Sequence, residues 1–444
     1  CNTNRSLMKI AFVSYLQDKA GMNIRHHLLQ LLDADPKGWR EQGRTCEFIE
    51  VDGRLIHAEG IDKKTDADCI TFISRHSSLN PVPVLTVHIT GNFREAELGG
   101  TARTLAPAAT AMMQATLRSL ARHCPEGYRV SYEVTHHGPT DLSRPAFFAE
   151  IGSTEKEWAD PSAGLAVARS LLSAVPQNPV PLIGFGGTHY AARETEIALT
   201  SRGAFGHIAH TREVATLDEA MIKGMMEKSG AVAAYIDRKA LNREDLNRLS
   251  GMLATTGIPR LTESEILSMG HLPWERYHAA REMADRVSAG ARIYVHDLQG
   301  TGPLTPVPLD PVLLSEAIKA DEPGFIRGLS ALPVIHLATQ DNHMLPVFIT
   351  HDDHTSQIIN ALNTLCVKII RSKEITATEK DLLIITKVRF DPKKARELGV
   401  PAGPFFKQLA GGRTVEIDGR TITPGMVSSC SEITIHIPGL EKFS

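Results

Sequence analysis

Short β-branched and aromatic runs alternate with amphipathic stretches from the beginning of the chain, and no other feature constrains the fold as much. KIAFVSY (9–15) is followed by GMNIRHHLLQLL (21–32), where Met22, Leu28, Leu29 and Leu32 form an apolar stripe at helical spacing. Further strands are expected at CEFIEV (46–51), CITFIS (69–74), PVLTVHIT (83–90), YRVSYEVT (128–135), PLIGF (181–185) and AVAAYID (231–237). Helices are expected near 101–123, 162–175, 189–200 and 216–228. Strands separated by helices pair in parallel more readily than as hairpins. The expected class is therefore α/β, with a mixed, mostly parallel sheet and helices on both faces. Functional loops then belong at the carboxyl ends of the strands.

Beyond residue 290 the texture changes. LQGTGPLTPVPLDP (298–311) reads as a Gly/Pro-rich connector, followed by short strands and a helical stretch near 356–365. A length of 444 residues exceeds one ordinary core, so a main domain at 8–290 and a smaller α+β region at 291–444 are expected. Within the latter, FDPKKARELGVPAGPFFKQLAGGRTVEIDGRTITPGMV (390–427) reads as a short helix, a Pro/Gly turn and a hairpin around Asp418-Gly419. No window approaches 18 consecutive apolar residues, and residues 1–7 read as an upstream extension without the pattern of a secretory leader. A cytoplasmic monomer with no membrane partner is expected. The six scattered cysteines form no CxxC pair and read as reduced thiols. A formal charge of −3 disfavours bulk electrostatic binding of nucleic acid but leaves room for a local basic stripe.

Four segments place histidine or glycine just past a strand: TVHITGN (86–92), EVTHHGPT (133–140), GFGGTHYAARET (184–195) and AFGHIAHT (204–211). In EVTHHGPT an alternating strand ends at His136 and His137, which strand parity sends in opposite directions. His136 continues the apolar face of Val130, Tyr132 and Val134, and His137 the polar face of Ser131, Glu133 and Thr135, so parity favours His137 as the cleft-facing residue. GFGGTHYAARET sets Gly186, Gly187 and Thr188 between a strand and a helix expected to begin near His189, where free amides would bind an anion or an oxyanion. Tight packing explains such a turn equally well. His88 and His207 each read either as a core histidine or as a ligand. HDDH (351–354) reads as a charged loop, and no HExxH or helical histidine pair fixes a metal by spacing. GxSxG is absent and no cysteine sits beside a base, which favours direct attack by water. Glu133 and Glu150 are carboxylates near these loops, suited to holding a histidine tautomer or an ammonium group.

ISRHSS (73–78), LTVHITGN (85–92), YEVTHHGPT (132–140), FFAEIGSTEKEW (147–158), GFGGTHYA (184–191) and AFGHI (204–208), in that order, resemble the archaeal and plant D-aminoacyl-tRNA deacylases. The resemblance runs from about Met8 to about residue 270, and FDPKKARELGVPAGP looks like the tail of longer archaeal versions. It implies hydrolysis of D-aminoacyl-tRNA, D-tyrosyl-tRNA among others, to D-amino acid and tRNA, with zinc as cofactor. It also implies a core similar to nucleoside phosphorylases or peptidyl-tRNA hydrolases. Two residues depart from the pattern: Thr188 stands where the family has a third glycine, and Ala192 where it has proline.

With that resemblance, the residues expected to act on the ester are His136, His137, Thr140, Glu150 and the turn Gly186, Gly187 and Thr188. His88, His189 and His207 are expected to hold zinc, which lowers the pKa of a water. Arg94, Arg144, Arg193 and Arg202 are expected to form the basic rim that touches tRNA. The same scaffold suits a peptidyl-tRNA hydrolase or a nucleoside phosphorylase, since fold does not fix function. A non-enzymatic RNA-binding protein is a third reading, opposed by the clustering of histidines rather than stacking aromatics at the strand ends.

Overall fold

The computed structural model describes residues 7–78, 81–298 and 302–443. They pack as two compact units, 1–270 and 271–444.

The first unit holds two sheets. Strands β1 (Met8–Tyr15), β2 (Arg44–Val51), β3 (Cys69–Arg75), β4 (Val84–His88), β5 (Arg129–Tyr132) and β6 (Ala146–Gly152) form a six-stranded sheet in the order β2-β1-β3-β6-β4-β5. Every neighbouring pair is parallel except β6 with β4. The class is the mixed, mostly parallel α/β sheet that the alternation predicts. Strands β7 (Val180–Phe185), β8 (Gly203–Ala209), β9 (Ala233–Ile236) and β10 (Arg260–Leu261) form a second, all-parallel sheet in the order β8-β7-β9-β10. Three of these ten strands, β6, β8 and the two-residue β10, are absent from the sequence expectation. Gly203, Gly206 and His207 interrupt any β-branched run in β8.

Helices α1 (Lys19–Ala34), α2 (Thr110–His123) and α3 (Pro161–Ser173) pack together, and α2 also lies against strands of both sheets. Their starts are chemically marked. Asp18 accepts the Gly21 amide at 2.9 Å, and Asp160 caps α3 just before Pro161, whose missing N–H costs nothing at a first helical position. Helix α2 begins at Thr110 and not near 101, because Pro107 intervenes and Thr104–Leu105 pair instead with Gly91–Asn92. Helix α4 (Ala192–Thr200) begins three residues later than expected, since Tyr190 is drawn into a bridge with Glu133. Helices α5 (Glu219–Ser229) and α6 (Arg243–Thr255) cover the second sheet, burying Met221, Ile222, Met225, Leu249 and Leu253 against Ile183, Phe185 and Ile236.

The second unit is α+β. It has a four-stranded antiparallel sheet, a three-stranded antiparallel sheet, and helices at Pro311–Leu329 and Thr355–Lys373 over a common core. The unit starts at 271 rather than at the connector because helix Trp274–Val287 packs on strands Arg292–Val295 and Leu304–Pro308. Residues 299–301 of the connector lie outside the described residues. Near the C-terminus, Ala395, Val400, Leu409, Val415, Ile422 and Val427 form a small separate core. The hairpin expected at Asp418-Gly419 is there, with φ of 48° and 74° at those residues, the left-handed pair a two-residue turn needs. Among the described residues no helix is long and apolar enough to cross a membrane.

Candidate active site

Strand β4 ends at His88, and its neighbour β5 ends at Tyr132, where the chain leaves the sheet in a way parity does not anticipate. The Glu133 amide still donates to Val87 O at 3.1 Å, but Val134 N donates to His189 O at 3.0 Å and Thr135 N to Ile208 O at 2.9 Å. Residues 133–135 are thus wedged between segments belonging to the two sheets. His137 then takes φ of 48°, a left-handed conformation rare for a residue with a side chain. The pleat has already ended, so the expected divergence of His136 and His137 does not occur. Their rings lie 4.4 Å apart and turn into one cluster.

Three imidazoles converge there. His136 Nδ1 lies 2.7 Å from Val134 O, His137 Nδ1 2.6 Å from Gly138 O, and His88 Nδ1 3.3 Å from Ile89 O. A carbonyl oxygen only accepts, so each Nδ1 carries the proton and each Nε2 presents a lone pair. The three histidines each offer a ligand nitrogen within 4.8 Å of the others. His88 Nε2 is buried, finds no hydrogen-bond partner among the described residues, and faces Glu150 Oε2 at 3.7 Å. A lone pair opposite a buried carboxylate requires positive charge between them. Burial opposes protonation of His88, but Glu150 and Glu133 outweigh it and raise its pKa. Burial, then the neighbouring His88, pushes His137 down to about 3, and burial with His137 lowers His136 well below the ordinary value.

Glu133 anchors a second group. Its buried carboxylate lies 3.1 Å from His76 Nδ1, 2.9 Å from His189 Nε2 and 3.6 Å from His136 Nε2. The close contacts are too oblique for hydrogen bonds: among the described residues both Glu133 oxygens and His189 Nε2 lack a partner of proper geometry. Burial pushes the Glu133 carboxyl up, yet His189 and His76 outweigh it and hold it well below the usual carboxylate range. The opposite Nε2 of His76 is 3.0 Å from the Tyr190 hydroxyl, and Ser74 Oγ donates to Glu150 at 2.5 Å. Two cavities of about 420 and 410 Å³ share His136, His137, His189 and Leu98 as a common wall. One is lined by Tyr15, Asp18, Phe148 and Trp158, and the other by Phe93, Arg94, His210 and Arg212.

Six of the residues singled out in the sequence meet here: His88, Glu133, His136, His137, Glu150 and His189. The structure does not bring His207 in. Its Nδ1 is 3.0 Å from Thr135 Oγ1 and its Nε2 2.9 Å from Ala106 O, which leaves no nitrogen for a metal, and burial pushes its pKa down to about 4. Thr140 is likewise committed, accepting the Thr101 amide at 2.8 Å while its own amide donates to Glu59. Of the glycine turn, Gly186 N donates to Ala209 O at 2.9 Å, Gly187 O accepts from Thr211, and Thr188 Oγ1 donates to Tyr190 O at 3.2 Å. The Gly186 amide is therefore spent, and the helix starts only at Ala192, so its positive end does not lie at this turn. Two arginines of the expected rim, Arg94 and Arg193, are spent on carboxylates. Arg94 forms a two-pronged pair with Glu213, Arg193 pairs with Glu196 and Glu263, Arg202 donates to Asn178 O and Gly270 O, and half-buried Arg144 acts on Asp66. His76 and Tyr190 were not singled out, although His76 also stands just past the end of a strand.

A family model for D-aminoacyl-tRNA deacylase matches residues 63–261. The chain is 62% identical to a D-aminoacyl-tRNA deacylase of Methanoregula boonei, over 98% of this chain and all of that one. It is 51% identical to a protein of the same name from Methanoculleus marisnigri, again over 98% and 100% of the two chains. Among solved structures it is similar to a conserved protein of unknown function, with a TM-score of 0.54 and 31% identity, covering 59% of this chain and 97% of that one.

Proposed function

The chain belongs to the D-aminoacyl-tRNA deacylase family, and from that premise we propose that it hydrolyses the ester joining a D-amino acid to the terminal ribose of tRNA, using zinc held by His88, His136 and His137. The observation that carries this reading is the convergence of three imidazoles whose Nδ1 protons are fixed on backbone carbonyls. A three-histidine set leaves the fourth position of a tetrahedral zinc site open, and carbonyl partners on the far nitrogens are the usual way such ligands are oriented. The buried, unpartnered His88 Nε2 fits that use. When bound, the ion supplies a Lewis acid that makes water nucleophilic near neutral pH.

The protein's own groups do the rest. Glu133 lies 2.9 Å from Nε2 of His189, whose half-exposed ring borders both cavities and is placed to carry the proton to the departing ribose oxygen. Tyr190 and Glu133 hold the two nitrogens of His76 and so fix its ring. The two cavities suit the two halves of the substrate, the aromatic one the amino acid and the one beside Arg94 and Arg212 the terminal nucleotide. A second reading follows from the oblique contacts of Glu133: His76, Glu133 and His189 form a further metal-binding set within 4.8 Å, and an ion there makes His189 a ligand. Elemental analysis separates the two, with one zinc per chain expected from the first and two from the second.

The substrate places the enzyme in the cytoplasm, and it is taken to act as a monomer. The deciding assay offers D-tyrosyl-tRNA, L-tyrosyl-tRNA, an N-acetyl-aminoacyl-tRNA and a purine nucleoside with phosphate side by side. Preference for D-tyrosyl-tRNA, lost on chelation, is expected. Preference for the N-acylated substrate or the nucleoside replaces this reading with a peptidyl-tRNA hydrolase or a phosphorylase.

A further inference from the structure

Arg94 and Arg193, two of the four arginines expected to touch tRNA, are already paired with glutamates, so their charge is spent on the protein itself. Residues 389–427 carry seven cations against four acids in a chain whose formal charge is −3. All seven, Arg389, Lys393, Lys394, Arg396, Lys407, Arg413 and Arg420, are exposed. Among the described residues none of them forms an ion pair. Lys394 donates to Ser428 O at 2.8 Å and Arg396 lies over the Phe406 ring, 5.8 Å from its centroid. One of the four acids, Asp391, is occupied in capping the amides of Lys393 and Lys394.

The cations do not hang on a tail. Ala395, Val400, Leu409, Val415, Ile422 and Val427 pack beneath them, so the charges stand on a folded platform and lose little freedom when a ligand arrives. Gly403 and Gly412 have positive φ and nothing within 4 Å of where a Cβ would stand, which leaves bare backbone open to close approach. Unpaired exposed cations on a rigid support fit a polyanion with regularly spaced charges. They carry no base-reading geometry, and an enzyme that acts on many aminoacyl-tRNAs requires none.

We propose that residues 389–427 form the surface that binds the phosphate backbone of the tRNA. The assignment rests on the tRNA substrate of the reading above and adds where its body is held. Phosphate contacts lower KM, leave the chemical step untouched and weaken as salt releases fewer counterions.

The test uses the full chain carrying K393Q, K407Q, R413Q and R420Q together, beside a charge-retaining control with K393R, K407R, R413K and R420K. For D-tyrosyl-tRNA the neutralised variant is expected to raise KM at least ~10-fold at low salt with kcat unchanged, and to flatten the dependence of KM on salt. The control keeps the parent values. Hydrolysis of the short ester 3′-O-(D-tyrosyl)adenosine, which has no phosphates, stays at the parent rate in both. Affinity for uncharged tRNA, measured without turnover, should fall in parallel. Failure of the parent to cleave either ester overturns the deacylase reading and leaves this binding measurement to decide the surface by itself. Unchanged tRNA affinity and salt slope in the neutralised variant overturn the proposal and give the surface to an acidic protein partner.

Discussion

Two buried carboxylates in the first unit meet opposite fates. Glu133, beyond the edge of the six-stranded sheet, touches His76, His136 and His189 and is held well below the usual carboxylate range once burial is outweighed. Glu194, in the first turn of α4 beneath the glycine turn of the second sheet, is equally buried, but among the described residues neither of its oxygens has a partner. Burial pushes it up to about 8. A carboxylate buried among cations stays charged and can work on a proton or a metal, whereas one buried alone keeps its proton and behaves as a polar core group. The difference sets a charged carboxylate at the histidine edge and a neutral one beneath the glycine turn.

The strongest way to break that contrast is to remove an imidazole. His88→Ala, His136→Ala and His137→Ala are each expected to lower kcat/KM for D-tyrosyl-tRNA by at least ~100-fold and to reduce bound zinc, because each supplies one of three converging nitrogens. Parity alone predicts a sharp difference between His136 and His137. The shared direction of the rings predicts none. Parent-like turnover in folded His136→Ala protein would return that residue to a structural role. At the glycine turn, Thr188→Gly should leave the rate within about twofold, since the Thr188 side chain is exposed and its hydroxyl donates only to Tyr190 O.

Glu133→Gln sharpens the same contrast with a smaller effect. It keeps the shape and removes the charge that orients His76 and His189, so about 10- to 100-fold is expected, the usual cost of losing such a partner. The variant should also lose zinc more readily on dialysis against a chelator. A Gln that retains full activity and metal would mean that the charge of Glu133 is incidental.

How much of this was legible in the sequence depends on the distance over which partners act. The α/β class follows from alternation that is local, and the convergence of histidines follows from their shared place at strand ends. Local pattern does not tell His76 from His207, since both sit at the end of a β run. One meets Glu133 and the other Thr135 and Ala106 O, contacts made across the fold. Arg94 is neutralised by a glutamate 119 residues away, so no window around it reveals that its charge is spent. The shared direction of His136 and His137 depends on one backbone angle at His137 that nothing in EVTHHGPT announces.

His207→Ala tests the architectural side. Both ring nitrogens are bonded and the side chain is fully buried, so its removal leaves the Thr135 hydroxyl proton without an acceptor and Ala106 O without its donor, beside a cavity. A loss of about 3 kcal/mol in unfolding free energy is expected, with kcat in the folded fraction unchanged. Its folded pKa of about 4 lies below the ordinary histidine value of 6.5, so the parent loses stability as pH falls through that window while the unfolded chain alone takes up the proton. The variant should lack that slope. A stable His207→Ala protein with no bound zinc would instead make His207 part of the metal site.

At pH 6 the smaller of the two stability effects is expected from Glu194→Gln, and its sign is opposite. The unfolded carboxyl ionises near 4.5, while the native one keeps its proton up to about 8. Between those values the unfolded state binds fewer protons than the native state, so the stability of the parent falls as pH rises from 4.5 to 8 and is level outside that range. Glutamine occupies nearly the same volume and does not titrate. The variant should match the parent near pH 4.5 and exceed it by about 2 kcal/mol at pH 6, with kcat unchanged. Denaturant titrations of both proteins at several pH values measure the gap directly. A gap that stays constant with pH would show that Glu194 ionises at its ordinary value, which requires a partner for its charge, and the contrast with Glu133 would then disappear.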